Sequence, residues 1–263
     1  MGRLQDKVAI VTGGAKGIGY VTSKTFSKEG ATVVIVDMDK EAAEKAAAEI
    51  RDNGGKALPI AADLTNQEDR EKIFSEAVKE YGKVDILINN AGWGCKLPFL
   101  ETDFGSFDRS INLNMKATYY MIQLACKQMI AQGTGGKIVS TASTAAFQGE
   151  KNSSIYAATK AGIIAFSRAI ALEMGQYGIN INCVAPGFTR TNNNGHIPGT
   201  IDDNFLTITP TRRINVAQDI ANGYLFLVSD EARQITAQVL PIDGGYSGTR
   251  AMQASQDASM QVK

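Results

Sequence analysis

Short apolar runs, each followed by a turn and then a helical pattern, recur along this chain and leave few architectures open to it. Lys7–Thr12 (KVAIVT), Ala31–Val36 (ATVVIV), Lys56–Ala61, Val84–Asn89 (VDILIN), Gly136–Thr141 (GKIVST) and Ile179–Ala185 read as strands, and most are continuously apolar. Continuous hydrophobicity marks strands covered on both faces, as in a parallel sheet. Helical patterns run between them, from the glycines after Thr12 to Gly30, over Glu41–Asn53, Gln67–Tyr81 and Phe104–Gln132, and over Ser153–Tyr177. Asn215–Ser229 returns to helix with Asn215 as its cap, and Gln238–Ile242 supplies a last strand. Repeated strand–helix alternation predicts an α/β fold, a parallel sheet with helices on both faces. Ligands of such sheets bind at the carboxyl ends of the strands.

Phe188–Ile214 breaks the rhythm with Asn192-Asn193-Asn194, glycines and prolines, and a polar loop of that length reads as a lid. No repeat, linker or second domain interrupts residues 1–250, and 251–263 form a small, polar, frayed tail. The 263 residues carry 27 acidic and 27 basic side chains, with no basic run to neutralise phosphates, so nucleic-acid binding has no electrostatic footprint. Cys95, Cys126 and Cys183 are widely spaced and read as buried small hydrophobes in a reducing compartment. The single histidine, His196, has no cysteine cluster beside it, so no metal site is expected. Met1–Asp6 is too short and polar for a signal peptide, and no apolar run approaches the ~20 residues of a membrane span, which points to a cytoplasmic protein.

The first strand ends in glycines. Gly13, Gly17 and Gly19 punctuate the turn before a helix, and together they form an anion cradle. Glycine lets backbone approach a pyrophosphate, while the helix N-terminus offers free N–H groups and positive potential. The spacing G-x-x-x-G-x-G departs from the G-x-G-x-x-G of the usual dinucleotide fingerprint. The second strand ends in Asp37, close to where a carboxylate meets the adenosine ribose diol in such units. That carboxylate would repel a 2′-phosphate, which argues for NAD over NADP. Lys16 pulls the other way, but no arginine stands at Met38 or Asp39 to help it.

In Ser154-Ile155-Tyr156-Ala157-Ala158-Thr159-Lys160, helical geometry puts Tyr156 and Lys160 on one face at i and i+4. A phenol is a poor base near neutral pH, and a neighbouring ammonium lowers its pKa. Ser143, thirteen residues before Tyr156, can hold the oxygen that gains or loses the proton.

Taken together, these motifs resemble the short-chain dehydrogenase/reductase family. The matching pieces are Thr12-Gly13-x-x-x-Gly17-x-Gly19, Asn89-Asn90-Ala91-Gly92, Asn114, Ser143, Tyr156-x-x-x-Lys160 and Pro186-Gly187, in family order over residues 4–248. The resemblance implies a Rossmann-type, doubly wound sheet of seven strands, a nicotinamide cofactor and a homotetramer, with the Ser153–Tyr177 helix as a contact. It makes Tyr156 the general acid/base and Lys160 the group that lowers its pKa and holds the nicotinamide ribose. Ser143 then orients the reacting oxygen, and Asn114 positions a relay water; Phe107-Asp108 sets the register that chooses Asn114 over Asn112. Gly13, Lys16, Ile18 and Gly19 approach the pyrophosphate, with Gly17 in the same turn. Asp37 takes the adenosine ribose, and Asp63 and Leu64 flank adenine. Asn90 and Ala91, with Gly92 in the same motif, cover the cofactor's middle, and Thr189 and Thr191 follow Pro186-Gly187 toward its carboxamide and phosphates. Ser140 becomes a cofactor-side neighbour.

Substrate choice falls to residues outside the motifs. Trp93, Gln148, Phe188 and Asn193 are candidates beside Ser143 and Tyr156, with Cys95, Thr144 and Ala145 as further lining. An apolar wall and an amide-rich lid suit a secondary alcohol bearing polar groups, such as a polyol, sugar acid, hydroxyacid derivative or hydroxysteroid. Two other readings stay open. One is an NADPH-dependent 3-oxoacyl-[acyl-carrier-protein] reductase, which would want a basic residue where Asp37 stands. The other is a non-catalytic nucleotide-binding regulator on the same fold, which commonly loses the tyrosine or lysine.

Overall fold

The computed structural model describes residues 2–191 and 201–248, with backbone alone for 201–204. The predicted Asn193 contact, the lone His196 and the 251–263 tail lie outside the described residues.

The strands are β1 (Val8–Thr12), β2 (Thr32–Asp37), β3 (Lys56–Ala61), β4 (Ile86–Asn89), β5 (Gly136–Thr141), β6 (Ile179–Pro186), β7 (Thr189–Arg190), β8 (Asn215–Val216) and β9 (Val239–Ile242). Seven of them form one sheet in the order β3-β2-β1-β4-β5-β6-β9, every pair parallel. The order reverses between β1 and β4, the switch point at which ligands enter such sheets. Pro59 and Pro241 fall on the two edge strands, β3 and β9, where a missing N–H costs no ladder bond.

Helices α1 (Gly17–Lys28), α2 (Lys40–Asp52) and α8 (Ala217–Val228) cover one face; α3 (Gln67–Tyr81), α5 (Thr118–Gln132) and α6 (Ser154–Met174) cover the other. The two-residue period of a strand assigns the core residues. Ala9, Val11, Val33, Ile35, Ile86 and Ile88 face the first layer with Phe26 and Tyr224. Val8, Ile10, Val34, Val36 and Leu87 face the second with Phe74 and Met121. Helix starts are set by polar side chains: Asp39 caps α2 through Ala42 N, and Asn66 caps α3 through Glu68 N and Asp69 N. Gly82 and Gly133, at φ 76° and 71°, close α3 and α5 in left-handed geometry.

Four expectations change. The predicted Phe104–Gln132 helix is α4 (Phe104–Ser110), a π-helical segment Ile111–Ala117, then α5. The predicted lid contains β7, which pairs with β8, and α7 (Ile201–Ile208). Asn215 does not cap α8: it lies in β8 and donates to Ile242 O at 2.5 Å, while Asp219 accepts the Val216 N–H at the helix start. Finally, Ser154–Tyr177 is by length and composition apolar enough to cross a membrane, contrary to the sequence expectation. Its Ile163, Ile164 and Ala171 pack instead against the sheet, and Lys160 is buried within it.

Candidate active site

The carboxyl ends of the parallel strands frame a cleft of about 860 Å³ that runs from Asp37 and Asp63 at one end to Ser143, Tyr156 and Lys160 at the other. At its floor, the turn after β1 places Gly13 and Gly17 at φ 59° and 53°, a region that disfavours any side chain. A Cβ on Gly19 would collide with the Gly13 carbonyl, so Gly19 shapes the turn from behind although it does not line the cleft. The first turn of α1 has neither a side-chain cap nor an acidic residue, unlike α2 and α3. Its free N–H groups therefore face the cleft with positive potential. That chemistry fits the pyrophosphate of a dinucleotide.

Asp37 ends β2 and accepts N–H bonds from Ala15 (3.3 Å) and Asp39 (3.1 Å), which ties the carboxylate to the glycine turn. Lys16, half-exposed at the cleft, meets a carboxylate here. Its ammonium lies 2.6 Å from Asp39 Oδ2, and this bond raises the lysine pKa while lowering that of Asp39. Asn90 Nδ2 donates to the carbonyls of Thr12 and Gly13, locking the end of β4 onto the turn. Lys16, Ile18, Asp63, Leu64, Asn90, Ala91, Gly92, Pro186, Gly187, Thr189 and Thr191 all line the same cleft, as their sequence positions implied.

The π-helical segment brings Asn114 into the interior, whereas Asn112 stays exposed. Asn114 Oδ1 accepts from Trp93 N (2.7 Å), and its Nδ2 donates to Trp93 O (2.9 Å) and Thr159 Oγ1 (3.3 Å). Its own main-chain oxygen takes the Thr118 hydroxyl at 2.7 Å. Asn114 thus pins the loop after β4, and is not itself a lining residue. Gly92 sits between the parts of the site: a Cβ there would stand 3.2 Å from Asn114 Oδ1 and 3.5 Å from Lys160 Nζ.

Lys160 is 3% exposed, and its ammonium donates to Thr141 O at 2.6 Å while lying 5.6 Å from the Tyr156 ring centre. Burial pushes its pKa from 10.5 down to about 8. Burial also raises the Tyr156 phenol above its ordinary value, Glu150 adds to the rise, and a hydrogen bond with Ser143 opposes it. Desolvation thus opposes the lowering of the phenol pKa that the sequence leads one to expect from Lys160.

Gln148 and Phe188 line the substrate end as expected. Trp93 does not. Its ring carries the Arg109 guanidinium at 4.4 Å, and Arg109 lines the cleft in its place. Cys95 is buried away from the lining, and Ser140 is sealed in β5, where its Oγ accepts from Asn89 Nδ2. Sequence reading passed over Phe205, which stacks on Phe188, and Tyr246, which meets Phe205 edge-on, so that the three rings form a row on the cleft wall. It also missed the Lys96–Glu150 ion pair (2.7 Å) at the rim. Neither has a local sequence signal, since each joins segments far apart in the chain.

A family profile described as enoyl-(acyl carrier protein) reductase matches residues 13–247. The chain belongs to the short-chain dehydrogenase/reductase family. As a member, it is an NAD(P)-dependent dehydrogenase/reductase acting on CH–OH donors. It is 37% identical over 245 residues to an NAD-dependent glycerol dehydrogenase of Listeria innocua, covering 93% of this chain and 95% of that one. A 3-oxoacyl-[acyl-carrier-protein] reductase of Thermotoga maritima is 34% identical over 243 residues, covering 92% and 98%. Among solved structures, a 7α-hydroxysteroid dehydrogenase complexed with NADH and 7-oxo glycochenodeoxycholic acid superposes with a TM-score of 0.88 at 36% identity, covering 92% of this chain and 94% of that one.

The buried Lys160 charge leaves a signature in stability. Below about pH 8 the lysine is protonated in both folded and unfolded states, and the full cost of burying it is present. Between about 8 and 10.5 the unfolded chain holds a proton that the folded one lacks, so rising pH favours the fold. The wild type should therefore gain stability relative to Lys160→Met over that interval, by up to about 3 kcal/mol. Urea unfolding of both proteins at several pH values measures this, and a gap that stays constant from pH 7 to 10.5 would refute the buried charge.

Proposed function

We propose that this enzyme interconverts a secondary alcohol and its ketone with NAD as the preferred cofactor. The observation that carries the reading is one cleft with Ser143, Tyr156 and Lys160 at one end and the Asp37 carboxylate at the other. Pairing of Lys16 with Asp39 supports NAD over NADP, because a second carboxylate then stands beside the cation that would offset Asp37. The bound nicotinamide supplies the hydride acceptor or donor.

Tyr156 Oη gives or takes the hydroxyl proton, and Ser143 Oγ holds the substrate oxygen against it. Lys160 keeps a positive charge beside the tyrosine and reaches the nicotinamide ribose. Asn114 holds the loop that frames this end of the cleft. A phenol with a raised pKa is protonated near neutral pH, which suits proton donation to a ketone. Alcohol oxidation needs the phenolate, so its rate should climb as pH rises. For the substrate we favour a polyol, sugar acid, hydroxyacid derivative or hydroxysteroid. The Phe188–Phe205–Tyr246 wall suits an apolar face, and Gln148 with the Lys96–Glu150 rim suits polar groups. The carrier-protein reductase reading has no basic residue at Asp37 to support it.

Titration with NADH and NADPH, coupled to turnover of glycerol, sorbitol, 3-hydroxybutyrate and cholate, tests this. NADH should bind at least about tenfold more tightly, and Asp37→Ser should narrow that preference. Tight NADPH binding with reduction of acetoacetyl-CoA would establish the carrier-protein reductase instead. Tyr156→Phe should keep NADH affinity while turnover falls by about 10²–10⁴-fold; wild-type rates in that variant would exclude Tyr156 as the acid/base.

We also propose a homotetramer that uses α6. Its outward face presents Ala158, Ala161, Ala165, Ala169 and Leu172, the last 83% exposed. Sedimentation should give a tetramer that Leu172→Asp weakens; a monomer in the wild type would end the proposal.

A further inference from the structure

The oxygen that holds the Lys160 ammonium belongs to a residue with no place in the motifs. Thr141 ends β5, and three contacts meet on it. Its main-chain oxygen accepts from Lys160 Nζ at 2.6 Å. Its Oγ1 lies 2.8 Å from Asn89 O and 2.7 Å from the Tyr224 phenol oxygen.

Counting protons assigns the donors. A threonine hydroxyl carries one proton, and a carbonyl can only accept. The Thr141 proton is thus committed to Asn89 O, and the Tyr224 O–H must donate to Thr141 Oγ1. Tyr224 is well suited to that duty. It is fully buried, and burial raises its pKa, so it stays protonated. Among the described residues its hydroxyl has no other hydrogen-bond partner.

The chain of contacts crosses the sheet. Tyr224 comes from α8, in the α1/α2 layer, while Lys160 comes from α6, on the opposite face. Thr141 joins them at the strand end. It also binds the end of β5 to the end of β4, immediately before Asn90 and Ala91.

We propose that Tyr224 is a positioning residue for Lys160: its phenol clamps Thr141 Oγ1 and thereby fixes the carbonyl on which the ammonium rests. Without that donor, the Thr141 hydroxyl is free to leave Asn89 O, and the end of β5 loosens. The ammonium then loses part of the hydrogen-bonded hold that Thr141 O gives it within a desolvated site. The inference rests on the reading of Lys160 as part of the reacting centre.

The test uses the full chain labelled with [ε-¹³C]lysine and follows the Lys160 resonance by NMR across pH, identified by its absence in Lys160→Met. Tyr224→Phe keeps the ring in the core and removes only the donor. In it, Lys160 should titrate at least about half a unit below its wild-type position, because a looser carbonyl stabilises the ammonium less. Thr141→Val should reproduce the shift, Thr141→Ser should titrate like the wild type, and Tyr224→Phe/Thr141→Val should match Tyr224→Phe alone. A Tyr224→Phe titration that superimposes on the wild type overturns the proposal. So does a shift that Thr141→Val fails to reproduce, since the effect would then travel through packing.

Turnover of Lys160→Met on the alcohol panel separates this inference from the functional reading beneath it. Full activity there removes the reading of the site. An inactive Lys160→Met beside an unshifted Tyr224→Phe removes only the clamp.

Discussion

Burial of a parallel sheet on both faces is the constraint on which everything else in this protein depends. Parallel strands cannot be joined by tight hairpins, so each connection must cross back over a face of the sheet. The helices that make those crossings cover the strands and bury Ile10, Val34, Ile35 and Leu87 completely. The same constraint gathers every strand's carboxyl end on one edge. Asp37, Asn89 and Thr141 are each the last residue of a strand, and α6 brings Tyr156 and Lys160 back to that edge.

The site exploits what the fold withholds from water. A lysine inside a helix packed on a sheet is costly: burial lowers its pKa to about 8, and Thr141 O meets the ammonium directly. The phenol beside it is pushed toward its protonated form by the same desolvation. The protein therefore holds a proton donor ready and leaves the balance between phenol and phenolate open to whatever charge the cofactor and substrate bring. At the other end, negative charge dominates by local pairing: Asp39 neutralises Lys16, and Asp37 faces the cleft. One anion-attracting feature, the uncapped start of α1, lies between them.

Much of this was legible in the order of residues. Strands show themselves when they are buried on both faces, because then every position is apolar. Lys56–Ala61, Gln67–Tyr81 and Gly136–Thr141 carry the bounds read from the sequence. Tyr156 and Lys160 declare themselves because i and i+4 share a helix face wherever the helix sits. The failures are instructive. A π-helical segment keeps a helical hydrophobic pattern, so the break at Ile111–Ala117 left no mark. Asn215 looks like a cap by residue type, but the backbone pairs it with Thr189 in β8. Trp93 follows the Asn-Asn-Ala-Gly turn and points to a pocket wall, yet its ring supports Arg109, which lines the cleft.

The sequence by itself determined the parallel α/β sheet, the glycine turn, the carboxylate after the second strand and the Tyr–Lys pair. Periodicity, steric freedom and charge are properties of neighbouring residues, and they survive without knowledge of the fold. Only the tertiary structure decided which oxygen receives the lysine, that Lys16 pairs with Asp39, and that Phe188, Phe205 and Tyr246 form one wall. It alone joined Tyr224 to Thr141, 83 residues away along the chain. Such contacts link segments whose closeness is set by strand order, and strand order follows from packing the whole sheet at once.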